Sequence, residues 1–386
     1  MKKIILAISL IALLIITGCV IDEIIKDEGE EIIKQGHTVK VINNNLETPW
    51  GLDFIEENKI IITEKRGKIK IINEETNEVS MLSGVPIVDS SGQGGLLDLV
   101  LDENYIYLTY VTGTREGTGT HLGRGILNLE ENTIDNFEVL YKTEPFMDSG
   151  AHFGSRILIK DEYVYLTLGD RGRKNFGPEH ISQNTMNPNG AIIRLYKDGT
   201  IPQTNPFINN DEVLDEIYTY GHRNVQGITL QEETGRIWIS EHGERDGDEI
   251  NILEAGGNYG WPLAHYGCRY GTMIPVGNLP HENPNTINPV YYWECGSGGF
   301  PPAGMTFYSG KKFPEWEGNL FIGNLAGRYL GRFQVDTDEV QELEPMLEDE
   351  GWRIRDVKES PQGYLYVITD ANPGMLLKIM PENTMN

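Results

Sequence analysis

The apolar positions of this 386-residue chain fall into short runs separated by turn residues. Six stretches repeat one design: an apolar or aromatic strand, a turn, then a second short apolar strand carrying Lys or Arg. They begin near Ile60 (IIITEKRGKIKII), Tyr105 (YIYLTYV), Tyr163 (YVYLTLGD, answered by AIIRLY), Ile237 (IWISEHG, then INIL), Leu320 (LFIGNL, then YLGRF) and Tyr364 (YLYVITD, then LLKIM). Helical periodicity is hard to find, whereas brief apolar runs between turn signals read as strands. One unit recurring at tens of residues marks a repeat architecture. Strand pairs as the unit predict an all-β fold, a six-bladed β-propeller of four-stranded antiparallel blades. Such a ring brings loops from every blade to one end of a central channel, so residues far apart in sequence can form one site.

HTVKVINNNL and TPWGLDFI supply the first strand signals, and one propeller domain is expected over residues 37–386. The strand-poor stretches 172–189, 200–215 and 259–302 are too long for ordinary connections, and long ordered loops tend to carry function. Lys2 and Lys3, the apolar run 4–16 and the small residues before Cys19 form an export signal. It looks like a lipoprotein signal peptide over 1–18, with Cys19 acylated and 19–36 a polar tether or short helix. The alternative is an uncleaved anchor, 4–21 being barely long enough to span a bilayer. Either way the body lies outside the cytoplasm, at the cell surface or in the periplasm, and membrane contact is confined to the N-terminal anchor.

Removing Cys19 leaves Cys268 and Cys295, both in the Gly/Pro-rich insertion 259–302. An oxidising compartment lets such a pair persist as a disulfide; two buried thiols are the alternative. No CxxC spacing supports zinc. Thirty-two Lys and Arg against 58 Asp and Glu give a formal charge of -26, which excludes nucleic acid, whose phosphates would repel it. Acidity of this kind suits solubility or the binding of cations.

Five segments can carry chemistry. His152, in DSGAHFGSR, can act as a general base, its unperturbed pKa being about 6.5, or serve as a hydrogen-bonded structural residue. Asp170 lies in LGDRGR at a strand end. Arg223 and Asn224 lie in GHRNVQG, where an always-charged Arg can clamp a carboxylate or stabilise an oxyanion. SEHGERDGDE, from Ser240, concentrates oxygen donors of the kind Ca²⁺ takes in sets of about six to eight, though not at EF-hand spacing. Arg353 and Arg355 alternate in WRIRD and share one strand face; they repel unless an anion or carboxylates lie between them.

In order along residues 49–380, TPWGLDFI with TEKRGKIKII, GQGGLLDL, HFGSR, LGDRGR, GHRNVQG, DEINILEAGGNYGWP, PPAGMTFYSG and RIRDV with SPQGYLYVITD resemble the soluble quinoprotein aldose (glucose-type) dehydrogenases, which use pyrroloquinoline quinone (PQQ) and Ca²⁺. The resemblance implies the same six-bladed propeller. It implies that His152 takes the proton from a sugar's anomeric hydroxyl, that Asp170 orients His152, and that Arg223 stabilises charge at the reacting quinone oxygen. It further implies that Gln93 and Asn224 are polar PQQ contacts and that Arg353 and Arg355 grip PQQ carboxylates. The carbonyls of Gly243 and Glu244 match the ligands of the PQQ-bound Ca²⁺, while Glu249 and Tyr259 match those of a second, structural Ca²⁺.

The chain departs from that pattern in places. Glu244 stands where the glucose enzymes have Pro, and its side chain can add affinity for the cation. Ala151 replaces an Asp, which loosens sugar specificity. A PQQ-contacting Lys of the fifth blade is absent from LAGR (325–328), unless Arg328 substitutes. A carboxylate of the second ion site is replaced near Arg269. The expectation is a PQQ-dependent aldose dehydrogenase that oxidises the C1 hydroxyl to a lactone and passes electrons to an unknown acceptor. Its rivals are a non-catalytic propeller binding sugar or a protein partner, and a Ca²⁺-dependent propeller lactonase or esterase.

Overall fold

A computed structural model describes residues 26–382. The alternating runs pair as expected, into six antiparallel sheets. Blade 1 comprises Pro49–Glu56, Lys59–Glu64, Lys68–Asn73 and Glu78–Met81; blade 2, Leu96–Asp102, Tyr105–Thr114, Gly117–Asn128 and Thr133–Lys142; blade 3, Ile157–Lys160, Tyr163–Thr167, Ala191–Tyr196 and Ile217–Tyr220. Blade 4 comprises Val225–Gln231, Arg236–Glu241, Glu249–Ile252 and Tyr291–Tyr292; blade 5, Pro302–Phe307, Leu320–Asn324, Tyr329–Asp336 and Glu339–Glu342. Blade 6 takes Ile354–Glu359, Leu365–Thr369 and Gly374–Pro381 from the C-terminal end and closes with His37–Leu46 from the N-terminal end. Joining the two ends of the chain in one sheet closes the ring, so no blade is left with a face lacking a neighbour.

The signal peptide and Cys19 lie outside the described residues. Within the stretch read as a tether, Glu31–Lys34 is neither helix nor linker. It is a fifth strand, paired with His37–Lys40 at the outer edge of blade 6. Adjacent β-branched Ile32 and Ile33 favour a strand, and Ile32 packs on the core between blades 5 and 6. The ordered fold therefore starts before residue 37.

Six apolar cores lie between neighbouring blades, one at each junction. A Thr of the second strand links three of those junctions. Thr63 Oγ1 accepts the Gly51 N–H of its own blade (2.9 Å) and donates to Leu97 O of the next (2.5 Å). Thr109 does the same between Asp98 N–H and Ser155 O, and Thr167 between Arg156 N–H and Val225 O. The T of IIIT, YLT and YLT is thus a blade-to-blade hydrogen-bond relay.

At the axis Arg156 projects from the start of blade 3. Its Nε donates to Gln226 O of blade 4 (2.8 Å), Nη2 to Arg355 O of blade 6 (3.0 Å), and Nη1 meets Asp98 of blade 2 (3.1 Å) and Asp356 of blade 6 (3.3 Å). Its guanidinium lies over the Trp50 ring of blade 1 at 4.2 Å. Asp98 also accepts the Ile157 N–H and Asp356 the Leu52 N–H. Gly304 makes room for this knot: a Cβ there would stand 1.6 Å from Asp356 Oδ1.

Cys268 and Cys295 form the expected disulfide, with Cα atoms 5.4 Å apart. Cys268 also exchanges two backbone hydrogen bonds with Arg245. The insertion is thereby fastened over the loop that follows Glu241.

Removing Arg156 strands two buried carboxylates, so R156M should lose about 3–5 kcal/mol of stability. Burial, opposed by Arg156 and joined by repulsion from Asp356, already holds the Asp98 carboxyl above its ordinary value. A carboxyl raised in the folded state loses stability as pH climbs through its folded pKa. The R156M deficit in urea unfolding should therefore be larger near pH 8 than near pH 5; a pH-independent deficit would contradict this account. The C268S/C295S double variant should lose about 2–4 kcal/mol and show faster hydrogen exchange in 259–302 before elsewhere.

Candidate functional site

All six inner strands begin at the same rim, which opens into a cavity of about 400 Å³. Its wall takes Trp50 and Lys65 from blade 1, Gln93 from the approach to blade 2 and His152 from the approach to blade 3. Asn224 and Gln226 of blade 4, Leu325 and Ala326 of blade 5, and Arg353, Arg355 and Asp370 of blade 6 also line it. A wider cavity, about 620 Å³, lies at the opposite rim where the inner strands end near Phe54, Leu230 and Phe307. That one contains none of His152, Asp170, Arg223, Arg353 or Arg355, so the candidate chemistry belongs to the smaller cavity. Trp50, resting on Arg156, separates the smaller cavity from the rest of the channel.

His152 has a left-handed backbone (φ 50°), a conformation that costs a non-glycine residue about 1 kcal/mol or more. Neighbours enforce it: Gln93 Oε1 accepts the His152 N–H (2.8 Å), and Gln93 N–H is bonded to Gly150 O (2.7 Å). The ring's Nδ1 lies 2.6 Å from Asp170 Oδ1. Asp170 is wholly buried, and its oxygens also accept Gly172 N–H (2.8 Å) and Trp261 Nε1–H (2.8 Å). Burial alone would raise the Asp170 carboxyl, but the hydrogen bond and charge of His152, with Arg223 and His180, outweigh it and hold it below its ordinary value. An ionised Asp170 fixes the Nδ1–H tautomer and leaves the Nε2 lone pair as the basic site. Burial, only partly opposed by Asp170, lowers the His152 pKa, so the imidazole is neutral near pH 7 and ready to accept a proton.

Arg353 and Arg355 share one strand face, and the carboxylate their repulsion demands is Asp370. Asp370 bonds Arg353 Nε (3.0 Å) and Nη2 (2.5 Å), and Arg355 Nη2 lies 2.9 Å from it. The two guanidiniums override burial and pull Asp370 down to about 2. Among the wall residues three cations, Lys65, Arg353 and Arg355, face this one carboxylate, while burial drives His242 down to about 3 and keeps it neutral. A chain of charge -26 has concentrated positive charge here.

Other expectations shift. Arg223 lies behind the wall, 4% exposed, donating to Glu244 Oε2 (2.9 Å) and His242 O (3.3 Å). The Glu244 side chain, expected to be free for a cation, also takes Lys174 Nζ at 2.5 Å. It is committed to two cations, which leaves its backbone carbonyl and that of Gly243 as the ligand-capable atoms. Among the described residues no set of three or more His, Cys, Asp or Glu side chains converges as a metal cage. Arg328 does not substitute for the missing fifth-blade Lys; it donates to Gly351 O and Ala326 lines the wall instead. Glu249 and Tyr259 do not line the main cavity. With Glu241, His265 and Trp261 they surround a void of about 10 Å³, room for about one water or ion. Burial first, then Glu241 across the strand pair, raise Glu249 to about 8; the Tyr259 hydroxyl is spent on Ile252 O and Glu254 N–H, leaving its carbonyl.

Lys65, Asp370 and Trp261 were not singled out from the sequence. Asp370 directly follows the strand YLYVIT, an acidic residue at a strand end as Asp170 is after YVYLTLG, and that likeness could have marked it. D170N should keep the fold but mis-set the His152 tautomer, cutting turnover about 10²–10⁴-fold with a melting temperature close to wild type; an undiminished rate would remove Asp170 from the site.

Comparison with known proteins finds relatives along nearly the whole described chain. The family model for glucose/sorbosone dehydrogenase matches residues 46–378. Aldose sugar dehydrogenase YliI of Escherichia coli is 37% identical over 354 residues, covering 89% of this chain and 93% of that protein. Quinoprotein glucose dehydrogenase B of Acinetobacter calcoaceticus is 28% identical over 435 residues, covering 88% and 90%. The crystal structure of the soluble aldose sugar dehydrogenase Asd from Escherichia coli, in its apo form, superposes with a TM-score of 0.83 at 36% identity, covering 89% of this chain and 99% of that one. This chain belongs to the glucose/sorbosone dehydrogenase family.

Proposed function

We propose that the protein is a PQQ- and Ca²⁺-dependent aldose dehydrogenase, oxidising the C1 hydroxyl of aldoses to lactones. One observation carries the reading: a single cavity joins a neutral His backed by a buried, ionised Asp to a cationic wall, in a chain of this family. PQQ is a planar tricyclic tricarboxylate, and the residues fit such a group. The cavity is within the usual range of about 300–1,000 Å³ for small-molecule sites, its wall is net positive, and Trp50 gives it an aromatic floor. Arg353 and Arg355 would hold carboxylates, with Gln93 and Asn224 as polar contacts. The carbonyls of Gly243 and Glu244 would hold Ca²⁺.

When bound, the Ca²⁺-polarised quinone supplies the two-electron acceptor that oxidation of a C1–H requires. His152 Nε2 receives the proton of the C1 hydroxyl. Asp170 holds the ring in place and compensates the imidazolium that results. Arg223, tied to Glu244, keeps positive charge behind His242 without presenting a second base. Trp50 and Arg156 close the channel beneath. Export and acylation at Cys19 form part of the proposal; the disulfide supports an oxidising compartment.

Purified protein given PQQ and Ca²⁺, then aldoses and an artificial electron acceptor, should reduce the acceptor, and H152Q should lower kcat/KM about 10²–10⁴-fold. Because burial depresses the His152 pKa, the base is mostly unprotonated at and above pH 6.5. The acid limb of kcat/KM should then fall below pH 6.5 in wild type. A protein that neither binds PQQ nor oxidises any aldose would refute the reading.

A further inference from the structure

We propose that Lys65 is a further cofactor-binding residue, a cation on blade 1 that meets a carboxylate of bound PQQ; this rests on the function proposed above. Lys65 sits on the turn of ITEKRGK, and its backbone is fixed from two sides. Its N–H donates to Thr48 O (3.1 Å), and its carbonyl accepts the Leu96 N–H of blade 2 (2.9 Å). Its stem lies against Gly95, where a Cβ would come within 2.2 Å of Lys65 O and 2.7 Å of Lys65 Cγ. A glycine at φ 144° thus keeps the stem's path open. The ammonium donates to Gly92 O at 2.5 Å, which uses one of its three N–H groups.

Two contrasts single this residue out. Arg353 and Arg355 both engage Asp370, whereas the bond of Lys65 is to a neutral carbonyl, so its charge is not cancelled by direct contact. Blade 5 and its approach bring Pro301, Leu325 and Ala326 to the wall, and none carries charge. The cavity therefore presents cations from blades 6 and 1, a spacing suited to a rigid anion bearing carboxylates on more than one edge. Burial lowers the Lys65 pKa, with Asp370 opposing and Arg355 assisting, which agrees with an ammonium facing inward. An ammonium–carboxylate contact of this kind is a charge-assisted hydrogen bond.

The test is titration of the full-length apo protein with PQQ in the presence of Ca²⁺, followed by fluorescence quenching at low and high salt, with melting temperatures measured alongside. K65M and K65Q should weaken PQQ binding about tenfold to a hundredfold and flatten its salt dependence. K65R should recover most of the affinity, and the apo melting temperatures should stay near wild type. If Lys65 merely fastens the turn to Gly92, the variants will melt earlier yet bind PQQ with wild-type affinity and salt dependence, and the inference is overturned. Wild-type protein that fails to bind PQQ would overturn the function and this inference together; wild-type binding with unaffected variants overturns this inference alone.

Discussion

The structure turns on Arg156. A ring of six sheets has to fill its axis, and this one fills it with a guanidinium rather than with apolar side chains. Its donors reach blades 2, 4 and 6 and its face rests on a ring from blade 1. A buried cation is tolerable only when its charge and its N–H groups are matched. Asp98 and Asp356 match the charge and also cap backbone N–H groups of adjacent blades. The knot sets the angular register of the blades while serving as the support for Trp50, the floor of the cavity.

Above that floor, three carboxylates of the site are each held between or against basic side chains, while Lys65 bonds only the Gly92 carbonyl. Asp370 lies between Arg353 and Arg355, Glu244 between Arg223 and Lys174, and Asp170 beneath His152. These pairs orient side chains that would otherwise sample many rotamers, so the geometry exists before any ligand arrives. The positive excess is local. In a chain this acidic, a cationic cavity attracts a small anion while the outer surface repels large polyanions.

Much of the fold was legible along the chain. Apolar strand, turn and basic strand recurred six times because each blade needs the same buried second strand, and the Thr of IIIT and YLT recurred because blades 1 to 3 each meet the next through the same relay. The closing strand HTVKVINNNL was visible as a strand but not as the partner of LLKIM, since pairing between chain ends leaves no local signal. Glu31–Lys34 was hidden by its charges: an edge strand with one half-buried face looks like a polar linker. In the site, His152, Asp170 and the Arg353–Arg355 pair could be read from dense motifs. Lys65 could not, because it sits in a turn where a surface lysine is the ordinary expectation.

The sequence by itself determined the repeat, the strand identities and the residue types able to act as base, anion clamp and oxygen ligand, because alternation and turn chemistry are local properties. Tertiary structure decided which of these groups share a cavity. It paired Glu244 with Arg223 and Lys174, turned Arg328 away to Gly351, and brought Asp370 between two arginines and Lys65 to the same wall. Those outcomes depend on contacts between blades distant in sequence, where burial makes an unmatched charge too costly to leave alone.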